Sequence, residues 1–312
     1  MFAVIDLGSN SFHLLIARHT DLGFTVIDRC SEKIQLADGL SRHGKLTPAA
    51  MQRGLDCLRR FNKTLARHPI RYLRVVATQA LREASNAAAF VQAVEKLGLR
   101  IEIISDEQEA ALIYRGVCDP LPDSEHKRLI IDIGGASTEI AIGDSNTIHL
   151  AKSLPMGCVS WRDRFFSEGD EYGLRCQEAA QAARAVLAPH IQALKALGWS
   201  EVYASSGSAK MLSRIGLANT WTKGEITRAC VDRIQDAICH IRHHEDIALS
   251  GLKPERRDLL APGSSIMSAI MESLSIDHVH YSRTALREGI LGDMSGHRVD
   301  YQLPGDHIAM RA

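Results

Sequence analysis

Two aspartates stand at matched places in a chain of 312 residues. Asp6 is followed by Leu7, Gly8, Ser9, Asn10 and Ser11, and Asp132 by Ile133, Gly134, Gly135, Ala136 and Ser137. Each string closes one apolar run and opens another, so it reads as the turn of a hairpin. Glycine and serine let successive backbone N–H groups converge, and such a concavity holds phosphate oxygens without a net positive protein. A carboxylate beside bound phosphate makes sense mainly as a ligand, or water-mediated partner, of a hard divalent cation. An ordinary hairpin turn is the alternative for either string alone; their recurrence at equivalent places favours the phosphate reading.

A third small-residue turn, ASSGS at 204–208, lies between a strand and a helix. There Ser206, Gly207 and Ser208 could offer N-terminal N–H groups and a positive dipole end to an anion, or merely cap the helix. The string SDEQE at 105–109 also opens a helix. Ser105 and Gln108 have capping-box spacing, which leaves Glu109 on the first turn, either exposed or aimed into a cleft. A carboxylate beside an in-line water is what phosphoanhydride hydrolysis asks of a protein. Arg82 follows a strand and could clamp phosphate as a bidentate fork, or pair with a neighbour such as Glu83. His240, His243 and His244 have spacing suited to zinc on a helix end, but nothing nearby completes a ligand set.

The elements that would position these residues follow from periodicity. Apolar runs predict strands at 2–7, 12–17, 24–27, 73–77 and 101–104. Thr47 and Pro48 start a helix carrying Met51, Leu55, Leu58 and Leu65, and further helices are expected at 86–97 and 106–117. Prolines and polar residues at 119–125 mark a linker. The order then begins again: strands at 128–133, 138–142 and 147–150, a helix at 177–197, a strand at 201–204 and a helix at 225–244. Asp6 and Asp132 are thus equivalent points of a repeat 126 residues long. Two mixed sheets facing each other across a cleft is the expected architecture, with domains at 1–121 and 122–312.

Composition narrows the partners. Lys plus Arg (37) balances Asp plus Glu (37), so no global field draws nucleic acid or an anionic membrane. The seven cysteines are odd in number and form no CxxC pair, which suggests neither a disulfide framework nor a zinc site. No apolar stretch reaches the ~18 residues of a membrane span and no secretory leader is visible, so a cytoplasmic protein is expected.

The strings IDLGSNSFH (5–13), VATQALR (76–82), IDIGGASTE (131–139), LPMGC (154–158) and ALREG (285–289) together resemble the exopolyphosphatase / guanosine pentaphosphate phosphatase family. The resemblance runs over nearly the whole chain. It implies an α/β fold of two ribonuclease-H-like domains of the actin, Hsp70 and sugar-kinase kind, with a last helix near 285–295 packing back on the first. It implies hydrolysis of a terminal phosphoanhydride of inorganic polyphosphate or of guanosine pentaphosphate, with polyphosphate or guanosine penta- or tetraphosphate as the bound partner. By the same resemblance Glu109 is the catalytic carboxylate, Arg82 contacts phosphate, residues 6–11 and 132–139 form the phosphate loops, and Asp132 with Glu139 hold Mg²⁺ or Mn²⁺, with K⁺ and a homodimer also expected. Asp106 stands where the family has glycine, and Gln108 replaces the first of paired glutamates. The strings GGAST (134–138) and GCVSW (157–161) lean toward the guanosine pentaphosphatase branch. Rival expectations are a non-catalytic sensor of the guanosine nucleotide and an ATP-dependent small-molecule kinase on the same scaffold, although no aspartate base for a kinase is apparent.

Overall fold

The computed structural model describes residues 1–20, 23–38, 40, 44–145, 147–166 and 172–296, and the backbone of 300–301. The first sheet grows from the hairpin around Gly8. Strands β1 (Phe2–Leu7) and β2 (Ser11–Thr20) pair antiparallel with Asp6 opposite His13, and β3 (Gly23–Lys33) adds to β2. The third strand is longer than its apolar run predicts, because its half-exposed residues alternate in burial and charged side chains mask the pattern. Thr47 caps α1 (Pro48–Leu65), its hydroxyl accepting from Ala50 N–H at 3.1 Å. The chain then enters β4 (Tyr72–Ala77), parallel to β1, and passes through α2 (Gln79–Glu83) and α3 (Ala87–Glu95) to β5 (Ile101–Ile103). The resulting order is β3-β2-β1-β4-β5.

After α4 (Asp106–Cys118) the second sheet repeats this plan. Strands β6 (Arg128–Ile133), β7 (Thr138–Gly143) and β8 (Thr147–Leu154) are antiparallel neighbours. Helices α5 (Cys158–Phe165) and α6 (Tyr172–Leu197) lead to β9 (Glu201–Ser205), parallel to β6, and α7 (Ser206–Ala218) follows at once. Then come β10 (Ile226–Thr227), α8 (Arg228–Ile238), α9 (Leu260–Leu274), β11 (His278–Tyr281), α10 (Leu286–Met294) and β12 (Asp300–Tyr301). Within the order β10-β11-β9-β6-β7-β8-β12, the five strands β8-β7-β6-β9-β11 match the first sheet place for place. The repeat seen in sequence is therefore a repeat of topology.

The helix expected at 225–244 is shorter at both ends. Ile226 and Thr227 pair with β11, Thr227 caps α8, and the helix stops at Ile238. His240 and His243 thus lie beyond it, and His244 begins a separate 3-10 turn. No single helix face collects the three imidazoles.

One apolar core lies between the first sheet and α1 and α3, around Leu14, Phe61 and Phe90; a larger one packs α6 to α9 on the second sheet. A third joins the halves. Val4, Leu15 and Val76 from one sheet and Ile130 and Ala141 from the other enclose α4 and α10. Helix α4 lies on β6, β7 and β8, whereas α10 crosses α4 and reaches β1. The crossing is made by glycines: a Cβ on Gly116 would stand 1.8 Å from the Ala285 carbonyl oxygen, and one on Gly289 1.8 Å from that of Leu112. Among the described residues no helix is long and apolar enough to cross a membrane.

Candidate active site

In the hairpin β6–β7 Asp132 lies directly opposite Glu139, so both carboxylates project from the same face of the sheet. Both are buried. The Ser205 hydroxyl donates to Asp132, and the Ser153 hydroxyl to Glu139 Oε1 at 2.7 Å. Burial lifts the Asp132 carboxyl to about 6 against the Ser205 hydrogen bond. Burial and then the Asp132 charge lift Glu139 to about 7. Across the cleft, burial lifts Asp6 to about 7, opposed by Arg287 and reinforced by Asp132. The partner of Asp6 across its own hairpin is His13, which corresponds to Glu139 at the same offset of 126 residues. Burial, with Arg287 and Arg256 nearby, drops the His13 imidazole to about 3, so it is neutral. The repeat offset was the signal that could have found His13.

The two glycine-serine turns meet. A Cβ on Gly135 would lie 3.2 Å from the Asn10 nitrogen and 3.2 Å from Ser9 Cβ. Their carbonyls are already engaged. Ser9 O accepts from Ala37 N–H, and Asn10 O from Ile34 and Gln35 N–H. Likewise Gly134 O and Gly135 O accept from Cys158, Val159 and Ser160 at the start of α5. This explains the glycine before that helix, since a Cβ at Gly157 would stand 2.5 Å from the Ala136 backbone. With the carbonyls engaged elsewhere, the N–H groups of Ser9, Asn10, Gly135 and Ala136 have no protein acceptor among the described residues. Such a set of unpartnered donors is an anion-binding nest.

Glu109 comes from the other direction, on the first turn of α4. The predicted capping box is present: Gln108 N–H donates to Ser105 Oγ at 3.2 Å, and Ser105 N–H to Gln108 Oε1 at 2.9 Å. Glu109, the next residue, faces inward, where it is 6% exposed and accepts from Arg82. Burial and the nearby Glu139 charge push its carboxyl well above the usual range, with Arg82 opposing. Arg82 does not pair with Glu83. Its Nη1 donates to Glu109 Oε2 at 2.9 Å and to Ile104 O at 2.9 Å, and Nη2 faces Asp106. Glu83 instead accepts from Gln79 at 2.6 Å.

The third turn opens α7 directly after β9. The Ser206 and Ser208 hydroxyls both donate to the Ile133 carbonyl, at 2.7 and 3.0 Å, so they brace the Asp132 strand end. Only backbone donors at the start of α7 are left for an anion. Ser206 is held at φ +77°, a left-handed conformation costly for a side-chain-bearing residue.

A basic cavity of about 380 Å³ adjoins these turns, lined by Asn10 and Ser11 from one half and Gly207 from the other, with Lys33, Lys210, Arg214, Lys253 and Arg256 around it. Crowding shows in Lys210, whose ammonium is lowered by burial and then by Arg214, Lys253 and Arg256. Arg256 lies against Gly207 so closely that a Cβ there would stand 2.6 Å from Nη1. Neither Arg256 nor Arg287 has an ion-pair partner among the described residues. These cations are scattered from position 33 to 287, and no local sequence pattern gathers them.

The donor set suits a small hard cation. Such ions use one or two carboxylates and complete their shell with water and substrate oxygens; Asp132 and Glu139 are buried and Asp6 is half-buried, and desolvation raises all three carboxyls. Among the described residues no three His, Cys, Asp or Glu side chains form a closed metal cage.

The model of the Ppx/GppA phosphatase family matches residues 15–297. The chain is 40% identical over 295 residues to a guanosine-5'-triphosphate,3'-diphosphate pyrophosphatase of Vibrio vulnificus, covering 94% of this chain and 59% of that protein. It is 38% identical over 304 residues to a protein of the same name from Aeromonas hydrophila, covering 96% of this chain and 60% of the relative. The chain therefore spans about three-fifths of the length of these relatives. Among solved structures, an exopolyphosphatase from Cytophaga hutchinsonii superimposes with TM-score 0.86 at 25% identity, covering 96% of this chain and 99% of that one. The Aquifex aeolicus Ppx/GppA family member shares the fold, with TM-score 0.76 at 22% identity and coverage of 96% and 99%.

Proposed function

Because the chain belongs to the Ppx/GppA phosphatase family, we propose that it hydrolyses a terminal phosphoanhydride, releasing orthophosphate from a guanosine pentaphosphate-type nucleotide or from inorganic polyphosphate. The observation that carries this reading is the change of electrostatic sign along one cleft. Raised carboxyls and unpartnered N–H groups crowd one end, and five cations line the adjoining cavity. A ligand with one phosphate has no use for both ends. A ligand carrying further phosphates beyond the reacting one fits both, and the pyrophosphatase and exopolyphosphatase relatives support the same class.

In this proposal the N–H groups of Ser9, Asn10, Gly135 and Ala136 hold the terminal phosphoryl oxygens, and Arg287 adds a cation beside Asp6 and Asp132. Mg²⁺ or Mn²⁺ bound by Asp132 and Glu139 would neutralise charge on the bridging and terminal oxygens. Glu109, fixed by Arg82, orients the attacking water and takes its proton. A carboxyl raised by burial is poised for that role, and general-base groups contribute roughly 10²–10⁴-fold. The displaced oxygen remains on the shortened substrate, and the distal phosphates stay in the basic cavity.

The test is phosphate release by purified protein with Mg²⁺ from short and long polyphosphate, guanosine pentaphosphate and ATP. Glu109→Gln should cut the rate on the preferred substrate by about 10²-fold or more while binding persists. Full activity in that variant would reject the assignment. Release from ATP alone would reject the role of the cavity. The sensor reading is favoured by one observation, the engagement of Arg82 by two carboxylates; tight guanosine nucleotide binding without turnover would establish it.

A further inference from the structure

We infer that the terminal phosphate, held on the N–H groups of the two turns, also reaches the Nη2 edge of Arg82, and that Asp106, which occupies that edge, competes with it and so sets substrate affinity. The inference rests on the hydrolase reading above for its kinetic consequence, though not for its binding consequence.

Arg82 is held by two carboxylates at once, and the two are not equivalent. Glu109 receives Nη1 in a buried setting, its side chain 8% exposed. Asp106 faces Nη2 with a side chain 52% exposed. Withdrawing Glu109 would strand a buried partner; withdrawing Asp106 merely returns a carboxylate to water. Nη1 is also tied to the Ile104 carbonyl at 2.9 Å. The guanidinium therefore has one fixed edge and one edge closed by a side chain free to leave. Among the described residues the Asp106 side chain has no other ion pair or hydrogen bond, and its place on the first turn of α4 is shared with other acids. The cap of α4 is made by Ser105 and Gln108, and Glu107 supplies a second acid for the helix dipole.

A phosphoryl dianion offers the fork more charge and a bidentate fit than a single half-exposed carboxylate does. It should displace Asp106, but only after overcoming an ion pair of the exposed kind, which handicaps affinity by about 2–5-fold. A resting contact of this type also explains how Arg82 is kept aligned on Glu109 when no anion is present.

Orthophosphate binding to the whole protein, followed by calorimetry at fixed Mg²⁺ and ionic strength, decides the matter without turnover. Asp106→Asn should tighten orthophosphate by about 2–5-fold, and Asp106→Glu should leave it near wild type. In an Arg82→Met background, Asp106→Asn should have no effect, because the contested edge is gone. In parallel, the KM for guanosine pentaphosphate should fall by the same factor in Asp106→Asn, with kcat within about twofold. Unchanged or weaker orthophosphate binding would overturn the inference, as would a gain that persists without Arg82 or a KM left in place while kcat collapses. If the wild-type protein releases no phosphate from any substrate, the hydrolase reading falls, while the orthophosphate isotherms still decide the role of Asp106.

Discussion

Replacing Asp132 by asparagine should make the metal-free protein more stable and abolish the proposed phosphate release. Asp132 is 6% exposed, and its carboxyl is raised from 3.8 to about 6 by burial. The folded state therefore binds a proton that the unfolded chain has released, and stability attributable to this group falls as pH rises from about 4 to about 6. Each pKa unit is worth about 1.4 kcal/mol, so at about pH 8 the ionised carboxylate costs up to about 3 kcal/mol. Asparagine keeps the shape and an acceptor for the Ser205 hydroxyl, and the charge-assisted part of that bond is already contained in the net shift. The expected gain is therefore up to about 3 kcal/mol of added stability at about pH 8, vanishing near pH 4. Urea unfolding in a chelator at the two pH values measures it. Repeated with Mg²⁺, the same experiment should stabilise wild type at the higher pH and leave Asp132→Asn nearly unmoved. A variant less stable than wild type at about pH 8, or a difference independent of pH, would refute the reasoning that the site holds uncompensated negative charge.

Other perturbations probe the joint and the cavity. Gly116→Ala places a Cβ against the Ala285 carbonyl, a backbone atom that cannot rotate away. The expected cost is about 1–3 kcal/mol or more, visible as a lower thermal midpoint, and a neutral outcome would mean that α4 and α10 do not cross as described. Arg256→Ala should raise the KM for guanosine pentaphosphate or polyphosphate about tenfold with little change in kcat, the loss of one charge-assisted contact. Its KM should also depend less steeply on salt than that of wild type; an unaltered KM would place the distal phosphates elsewhere.

The local frame of the site was legible because neighbours in sequence make it. A hairpin turn, the residues facing each other across it and a capping box all lie within ten residues, so the pairing of Asp132 with Glu139 and the cap before Glu109 follow from local chemistry, whereas the choice between solvent and cleft for Glu109 does not. The duplication was legible too, since a pattern offset of 126 residues becomes two sheets of one topology. The extent of β3 and the ends of α8 were not, because pairing with a neighbouring strand decided them against weak local signals.

What only the tertiary structure decided are contacts between residues far apart in the chain. Arg82 meets Asp106 and Glu109, cations from Lys33 to Arg256 gather on one cavity, and Gly116 of α4 touches the chain beside α10. Burial, charge and the pKa of a side chain depend on what the opposite lobe brings near it. The sequence alone determined which groups were available and how each turn was shaped; the packing of α4 and α10 between two sheets determined which of them share a cleft.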